Sequence, residues 1–201
     1  MADKYPDFRT LARHERAGVD YRFVLRLGQP ALAVLTPHGG GIEPGTSQIA
    51  DAVAGAEFSF YAFEGLKPRR NADLHITSTR FDEPICLALI AQAAVVLTMH
   101  GEHSQADGEG VFVGGLADAL GRRLGAALRA RGFAVGRHGD PGLQGLEPNN
   151  LCNRGTTGRG VQLEISRGLR ATMFESLSRP GLQRPTARFR AFVAALRGAL
   201  P

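Results

Sequence analysis

Two apolar runs, ALAVLTP at 31–37 and AVVLTMHG at 94–101, constrain this chain more than anything else in it. Each is of strand length and neither alternates polar with apolar residues. A strand of that kind must be covered on both faces, which is how parallel sheets sit between layers of helix. The intervening sequence supplies those layers. TSQIADAVAG (46–55) reads as a helix with a Thr or Ser cap, closed by Gly55, and FDEPICLALIAQAA (81–94) as one with Asp82 as cap and Pro84 in the first turn. DYRFVLRLG (20–28) and FSFYAFEG (58–65) predict further strands, LHITST (74–79) and GVFVGG (110–115) shorter ones, and VQLEISRGLR (161–170) begins as another. LADALGRRLGAALRARG (116–132) and ARFRAFVAALRGAL (187–200) predict amphipathic helices, the second with Phe189, Phe192, Val193, Leu196 and Leu200 on one stripe. The alternation implies an α/β fold: a mixed, mostly parallel central sheet flanked by helices on both faces. No repeat or linker interrupts the 201 residues, so a single catalytic domain over 1–201 is expected.

Several function classes are disfavoured by what is missing. No apolar run approaches the roughly 18 residues of a membrane span, so no membrane partner is expected. The opening MADKYPDFRTLARHER is charged and has no apolar core, which fits neither a secretory signal nor a transit peptide and points to the cytoplasm. Cys86 and Cys152 form no disulfide framework and no thiolate zinc knuckle, so any metal would rest on His and carboxylate. The net charge of +5 comes almost wholly from arginine, Lys4 and Lys67 being the only lysines. Such a balance favours an anionic partner. A basic nucleic-acid-binding domain is one reading, but aromatics are few, Trp is absent and the phenylalanines fall on core-like positions, so no nucleic acid is expected.

Ligands of such sheets collect beyond the carboxyl ends of the strands, and three strand ends here carry His or Glu. Both apolar runs pass through Thr and one further residue into His-Gly, which would put His38 and His100 at matching heights above the sheet, facing one metal. Glu43 follows His38 by five residues, a spacing that fits neither a helix face nor a strand, so the chain must curl back. Gly39, Gly40 and Gly41 permit that curl, since glycine takes positive φ without strain. A flexible turn with Glu43 in solvent is the alternative; a phosphate loop lacks its lysine. His103 competes with His100, and His75 reads as a core residue, His14 as a surface one and His138 as uninformative. Glu164 alternates away from Val161, Leu163 and Ile165, towards either a solvated edge or a cavity, where it could serve as general base. Asn153 and Arg154 offer a fork for a carboxylate, or a solvated loop, and Arg80 has the same status with less support.

In order along the chain, TPHGGGIEPGTSQIA, LHITSTRFDEP, MHGEHS, VFVGGL and NRGTTGRGVQLEIS resemble the blocks of the poly-γ-glutamate hydrolases of bacteriophages and bacteria, over about residues 5–170. These are zinc peptidases with a carboxypeptidase-like fold. The resemblance implies His38, Glu43 and His100 as ligands of one Zn²⁺ and Glu164 as the catalytic carboxylate. It implies hydrolysis of γ-glutamyl amide bonds in poly-γ-glutamate, an anionic polymer; Arg154 matches a family position, from which we infer substrate binding by Arg154 and Asn153, with Arg80 added from its own loop, and a monomer is expected. Release by phage-type lysis would then bring the protein to an extracellular polymer. The second histidine of the HGEH run departs from the family pattern and leaves a ligand exchange with His103 open; the position of Arg80 is variable. Carboxypeptidase-like deacylases of small N-acyl amino acids share the zinc constellation and give the alternative function.

Overall fold

The apolar runs at 31–37 and 94–101 lie side by side at the heart of one sheet in the structure, a computed structural model that describes residues 3–103 and 108–201. Ser104, the end of the MHGEHS block, falls outside the described residues. The strands are β1 (Tyr21–Arg26), β2 (Gln29–Gly40), β3 (Phe58–Gly65), β4 (Val95–Glu102), β5 (Val111–Gly114), β6 (Val135–Gly136) and β7 (Val161–Ser166). They hydrogen-bond in the order β1-β3-β2-β4-β7-β5-β6. β1 runs antiparallel to β3 and β5 antiparallel to β7, while β2, β3, β4 and β7 are parallel neighbours. The sheet is therefore mixed with a parallel centre.

Side chains alternate across these strands into two cores. On one face Leu32, Val34, Phe60, Leu97, Met99, Leu163 and Ile165 pack under α2 (Thr46–Ala54), α4 (Asp118–Ala130), α5 (Arg167–Met173) and α6 (Ala187–Arg197). On the other, Ala33, Leu35, Tyr61, Phe63 and Val96 pack under α1 (Phe8–Leu11), α3 (Pro84–Ile90) and the loop around Leu151. The stripe on α6 faces the first core: Phe192 and Leu196 are fully buried, and Phe189, Val193 and Leu200 pack partly buried beside them. Each fully buried apolar side chain of this size contributes about 1.5–3 kcal/mol.

Three local expectations give way to other arrangements. LHITST forms no strand; Asn71–Leu74 is a 3₁₀ turn, and the Thr77 amide donates to the carboxylate of Asp3 (2.8 Å) instead of joining a ladder. α3 is capped by Glu83, whose carboxylate accepts from the amides of Ile85 (3.0 Å) and Cys86 (2.8 Å), because Asp82 is already taken by the Phe8 amide (2.6 Å). α2 starts from Gly45 with no side-chain cap, since the Thr46 hydroxyl donates to the carbonyl of Glu43 (2.9 Å).

Candidate functional site

The polar strand ends meet at the carboxyl edge of the sheet, on the α3 side. Leu35 pairs with Thr98, so the two Thr-x-His-Gly runs stand one residue out of step rather than at matching heights. Simple alternation would send His38 to the same face as Thr36, which bonds to Thr46 on the α2 side (3.0 Å). Between Thr36 and Gly39, β2 carries one residue more than β3, pairing Thr36 with Ala62 and Gly39 with Glu64. This bulge re-aims His38. Its Nδ1 then lies 3.1 Å from His100 Nδ1.

The curl that follows brings Glu43 to the same point. The Glu43 amide donates to the carbonyl of His38 (2.9 Å), and its carboxylate places Oε1 3.1 Å from His38 Nδ1 and Oε2 4.0 Å from His100 Nδ1. Of the three glycines only Gly40 takes positive φ (61°); a Cβ on Gly39 would collide with Ser47 Oγ, and one on Gly41 would stand 2.5 Å from Asn71 Nδ2. A Cβ on Gly40 would also stand 2.6 Å from the Gly65 carbonyl oxygen, so the run answers to crowding at all three positions and to backbone freedom at Gly40 as well. Gly101 is bound in the same way, donating its amide to Glu43 Oε2 (2.7 Å) with no room for a side chain.

The donor set fits a divalent cation. His38 Nε2 donates to the carbonyl of Ile76 (2.9 Å), which fixes the tautomer and leaves Nδ1 with a lone pair in the neutral ring. That lone pair faces a carboxylate oxygen and a second imidazole nitrogen, all buried, so the cluster requires a positive centre, either a proton or an ion. Ligand atoms held tetrahedrally about 2.0–2.1 Å from zinc stand about 3.3 Å apart, and the spacings of 3.1, 3.1 and 4.0 Å bracket that value. Without an ion the proton settles on His38: burial, the largest single effect, pushes its value down, but the charge and hydrogen bond of Glu43, the Ile76 carbonyl and the charge of Asp3 together outweigh it and raise it. Glu43 is raised by burial and pulled to about 2 by His38. Burial, then the His38 charge, depresses His100 to about 3.

His75 belongs to this cluster although sequence reading placed it in the core. Its ring lies 3.9 Å from that of His38, centroid to centroid, and its Nδ1 is 2.6 Å from Asp3 Oδ1. Ligand atoms of His38, Glu43 and His75 all fall within 4.8 Å of one another. The His38 charge first, and burial second, lower His75 to about 4. His103 is exposed beyond the strand end.

Glu164 pairs directly with His100 across β4 and β7 and is buried, not on a solvated edge. Its Oε1 accepts from Gln162 Nε2 (2.9 Å), and Gln162 Oε1 accepts from Asn150 Nδ2 (3.1 Å). Burial first, then the charges of Glu43 and Glu102, push the Glu164 carboxyl well above the usual carboxylate range, against Arg170 and Gln162. Arg170, unmarked in the sequence, is fully buried; it donates to the carbonyls of Ile165 (3.1 Å), Pro44 (2.6 Å) and Glu102 (3.3 Å), tying three strand-end segments together. His138 stands with Nε2 3.8 Å from Glu102 Oε1.

The residues expected to bind substrate are placed differently from one another. Asn153 has both ends of its amide occupied by backbone: Oδ1 accepts from Leu116 and Gly160, and Nδ2 donates to Gly145 and Glu147. It has no valence left for a ligand and holds the loop instead. Arg154 spends one nitrogen on the carbonyl of Phe81 (3.1 Å) and makes no ion pair among the described residues. Arg80 is half exposed and paired with Asp3 (2.7 Å).

The sequence profile of one family, described as poly-gamma-glutamate hydrolase, matches residues 5–195. The chain belongs to the poly-gamma-glutamate hydrolase family. It is 36% identical over 201 residues to the UPF0714 protein YmaC of Bacillus subtilis, covering 98% of this chain and 84% of that one. Its structure is similar to that of a bacteriophage poly-gamma-glutamate hydrolase, with a TM-score of 0.95 at 32% identity over 98% and 96% of the two chains. A zinc-free structure of YndL gives 0.91 at 34% identity over 99% and 98%. This hydrolase accordingly has the carboxypeptidase-like α/β fold of its family.

Proposed function

We propose that this protein is a zinc-dependent hydrolase that cleaves γ-glutamyl amide bonds of poly-γ-glutamate. The observation that carries the reading is the meeting of His38 Nδ1, His100 Nδ1 and the Glu43 carboxylate within 3.1–4.0 Å, beside the buried carboxyl of Glu164. The phage enzyme's name supports the substrate, and the zinc-free state of the YndL structure supports the metal. Zn²⁺ held by His38, Glu43 and His100 would supply Lewis acidity, polarising the amide carbonyl and lowering the pKa of water.

Glu164 moves the proton. With the cation bound beside it favouring the carboxylate, it would take one from the attacking water and return it to the leaving amine, a task suited to a carboxyl whose affinity for protons its surroundings raise. Gln162, fixed by Asn150, orients Glu164 through the 2.9 Å bond to Oε1. Arg170 holds the strand ends in place and sets a positive background behind the carboxylates. Arg154 binds a carboxylate of the neighbouring glutamyl unit, and Asn153 positions it by clamping the loop between Gly145 and Gly160. Arg80 contributes positive charge at the rim.

The test is incubation with poly-γ-glutamate before and after treatment with a chelator, with sizing of products and measurement of bound zinc. One zinc per chain, cleavage lost with the metal and restored by adding it back are expected. Full cleavage by a metal-free preparation would refute the reading.

A further inference from the structure

A second charged feature adjoins the cluster. A groove of about 680 Å³ is lined by Lys4, His14, Glu15, Lys67, Arg69, Arg70 and Asp73. Two short links tie the segments that line it to the candidate site. Asp3 holds His75 and the Thr77 amide, and the next residue, Lys4, lines the groove. Asn71 donates to the carbonyl of Lys67 (2.7 Å) while its amide wedges against Gly41 and Gly65, so the segment presenting Lys67, Arg69 and Arg70 is clamped to the curl that carries Glu43.

The groove is built to stay positive. Its four cations face two carboxylates, and both carboxylates are engaged. Glu15 accepts from Tyr5 (2.6 Å) and lies 3.3 Å from Lys4 and 2.5 Å from Lys67, so the chain's two lysines converge on one buried acid. Burial pushes Glu15 up, but Lys67, Tyr5 and Lys4 together hold it at about 2, an anion at any working pH. Asp73 sits between Arg70 (2.9 Å) and Lys4 (3.5 Å). Arg69 is exposed and makes no ion pair among the described residues. Arg70 is the only non-glycine described with positive φ (61°), a conformation costing about 1–2 kcal/mol that persists where the surroundings over-determine it.

We propose that this groove is a carboxylate-binding subsite that grips glutamyl units of the polymer at a distance from the bond being cut. The proposal rests on the reading of the protein as a poly-γ-glutamate hydrolase. A flexible polycarboxylate needs fixed cations and no stacking surface. A single-stranded nucleic acid needs aromatic platforms, and the lining offers only Tyr5, which is buried, and the small imidazole of His14 stacked against it with ring centroids 5.8 Å apart. A small N-acyl amino acid would end at the catalytic cluster and never reach Lys4 or Arg69.

The experiment compares wild type with Arg69→Glu/Arg70→Glu and with the milder Arg69→Ala/Arg70→Asn, in which Asn tolerates positive φ. Steady-state kinetics are measured on long poly-γ-glutamate and on a γ-linked glutamate trimer. Equilibrium binding of fluorescent polymer is measured with the same changes made in a Glu164→Gln background. For the double reversal, KM on polymer should rise about tenfold, with kcat within about twofold, and polymer binding should weaken by a similar factor. The trimer kinetics should not move, and the salt dependence of KM on polymer should flatten. Unchanged polymer KM and binding would overturn the proposal, as would equal losses on polymer and trimer. Single-stranded DNA bound as tightly as polymer, and released by the same changes, would reassign the groove to nucleic acid. If wild type cuts neither substrate, the substrate reading fails while the binding comparison still decides the groove.

Discussion

Replacing Glu164 by Gln should make the metal-free protein more stable while removing its activity, and the stability gain should depend on pH. The carboxyl is buried between Glu43, Glu102 and His100, which holds it protonated where an ordinary carboxyl would be ionised. An unfolded chain gives up that proton above its ordinary value of 4.5, so wild type loses stability as pH rises from 4.5 towards the folded value. At pH 7 the loss has a ceiling of about 3 kcal/mol, at 1.36 kcal/mol per pH unit. The carboxamide avoids it: its oxygen still accepts from Gln162, and its NH₂ suits a site bordered by carboxylates. After allowance for an imperfect fit, the variant should gain about 1–2 kcal/mol at pH 7, or about 2–8 °C in Tm for a chain of this size. Near pH 4 the gain should vanish. Calorimetric melts in chelator at pH 4, 5, 6 and 7 read this directly, and turnover on polymer should fall by about 10²–10⁴-fold. A variant less stable than wild type at pH 7, or a Tm difference that ignores pH, would refute the reasoning.

Gly101→Ala should cost about 1–3 kcal/mol and lower zinc content, because the new Cβ would stand 2.7 Å from Arg170 Cζ and 2.8 Å from Glu43 Cβ. Urea unfolding together with metal analysis checks it, and an unaltered midpoint with full zinc would show that the curl yields freely. Glu15→Gln should behave in the opposite sense to the change at Glu164. Glu15 is held at about 2 against an ordinary 4.5, so its stabilisation is complete above pH 4.5 and disappears as pH falls to 2. With solvent screening of the half-exposed Lys4 allowed for, the variant should be weaker by about 1–2 kcal/mol at pH 7 and indistinguishable near pH 2, as followed by urea melts across that range; a deficit persisting at pH 2 would contradict it.

What could be read from the sequence was what neighbouring residues decide. Apolar runs gave the inner strands because a both-faces-buried strand needs no distant partner to be recognised, and the glycine-spaced His38 and Glu43 signalled a curl for the same reason. LHITST misled because Asp3 takes the Thr77 amide from 74 residues away. Asp82 misled because Phe8, equally distant in sequence, reaches it first. Asn153 looked like a substrate ligand, yet its four backbone bonds are invisible until the loop is folded. His75 was read as core because its acidic partner lies near the other end of the N-terminal segment. Arg170 left no signal at all: its bond to the Pro44 carbonyl spans 126 residues, and nothing in a local window distinguishes a fully buried arginine from a solvated one.

The extra residue in β2 has a meaning for any protein carrying paired Thr-x-His-Gly runs on adjacent parallel strands. Were the count of residues regular, the two imidazoles would project to opposite surfaces and share nothing. The motif is therefore a poor diagnostic unless a one-residue surplus accompanies it, and a gap in an alignment at this point should be taken as a warning that the ion-binding geometry has been lost even where every ligand residue survives.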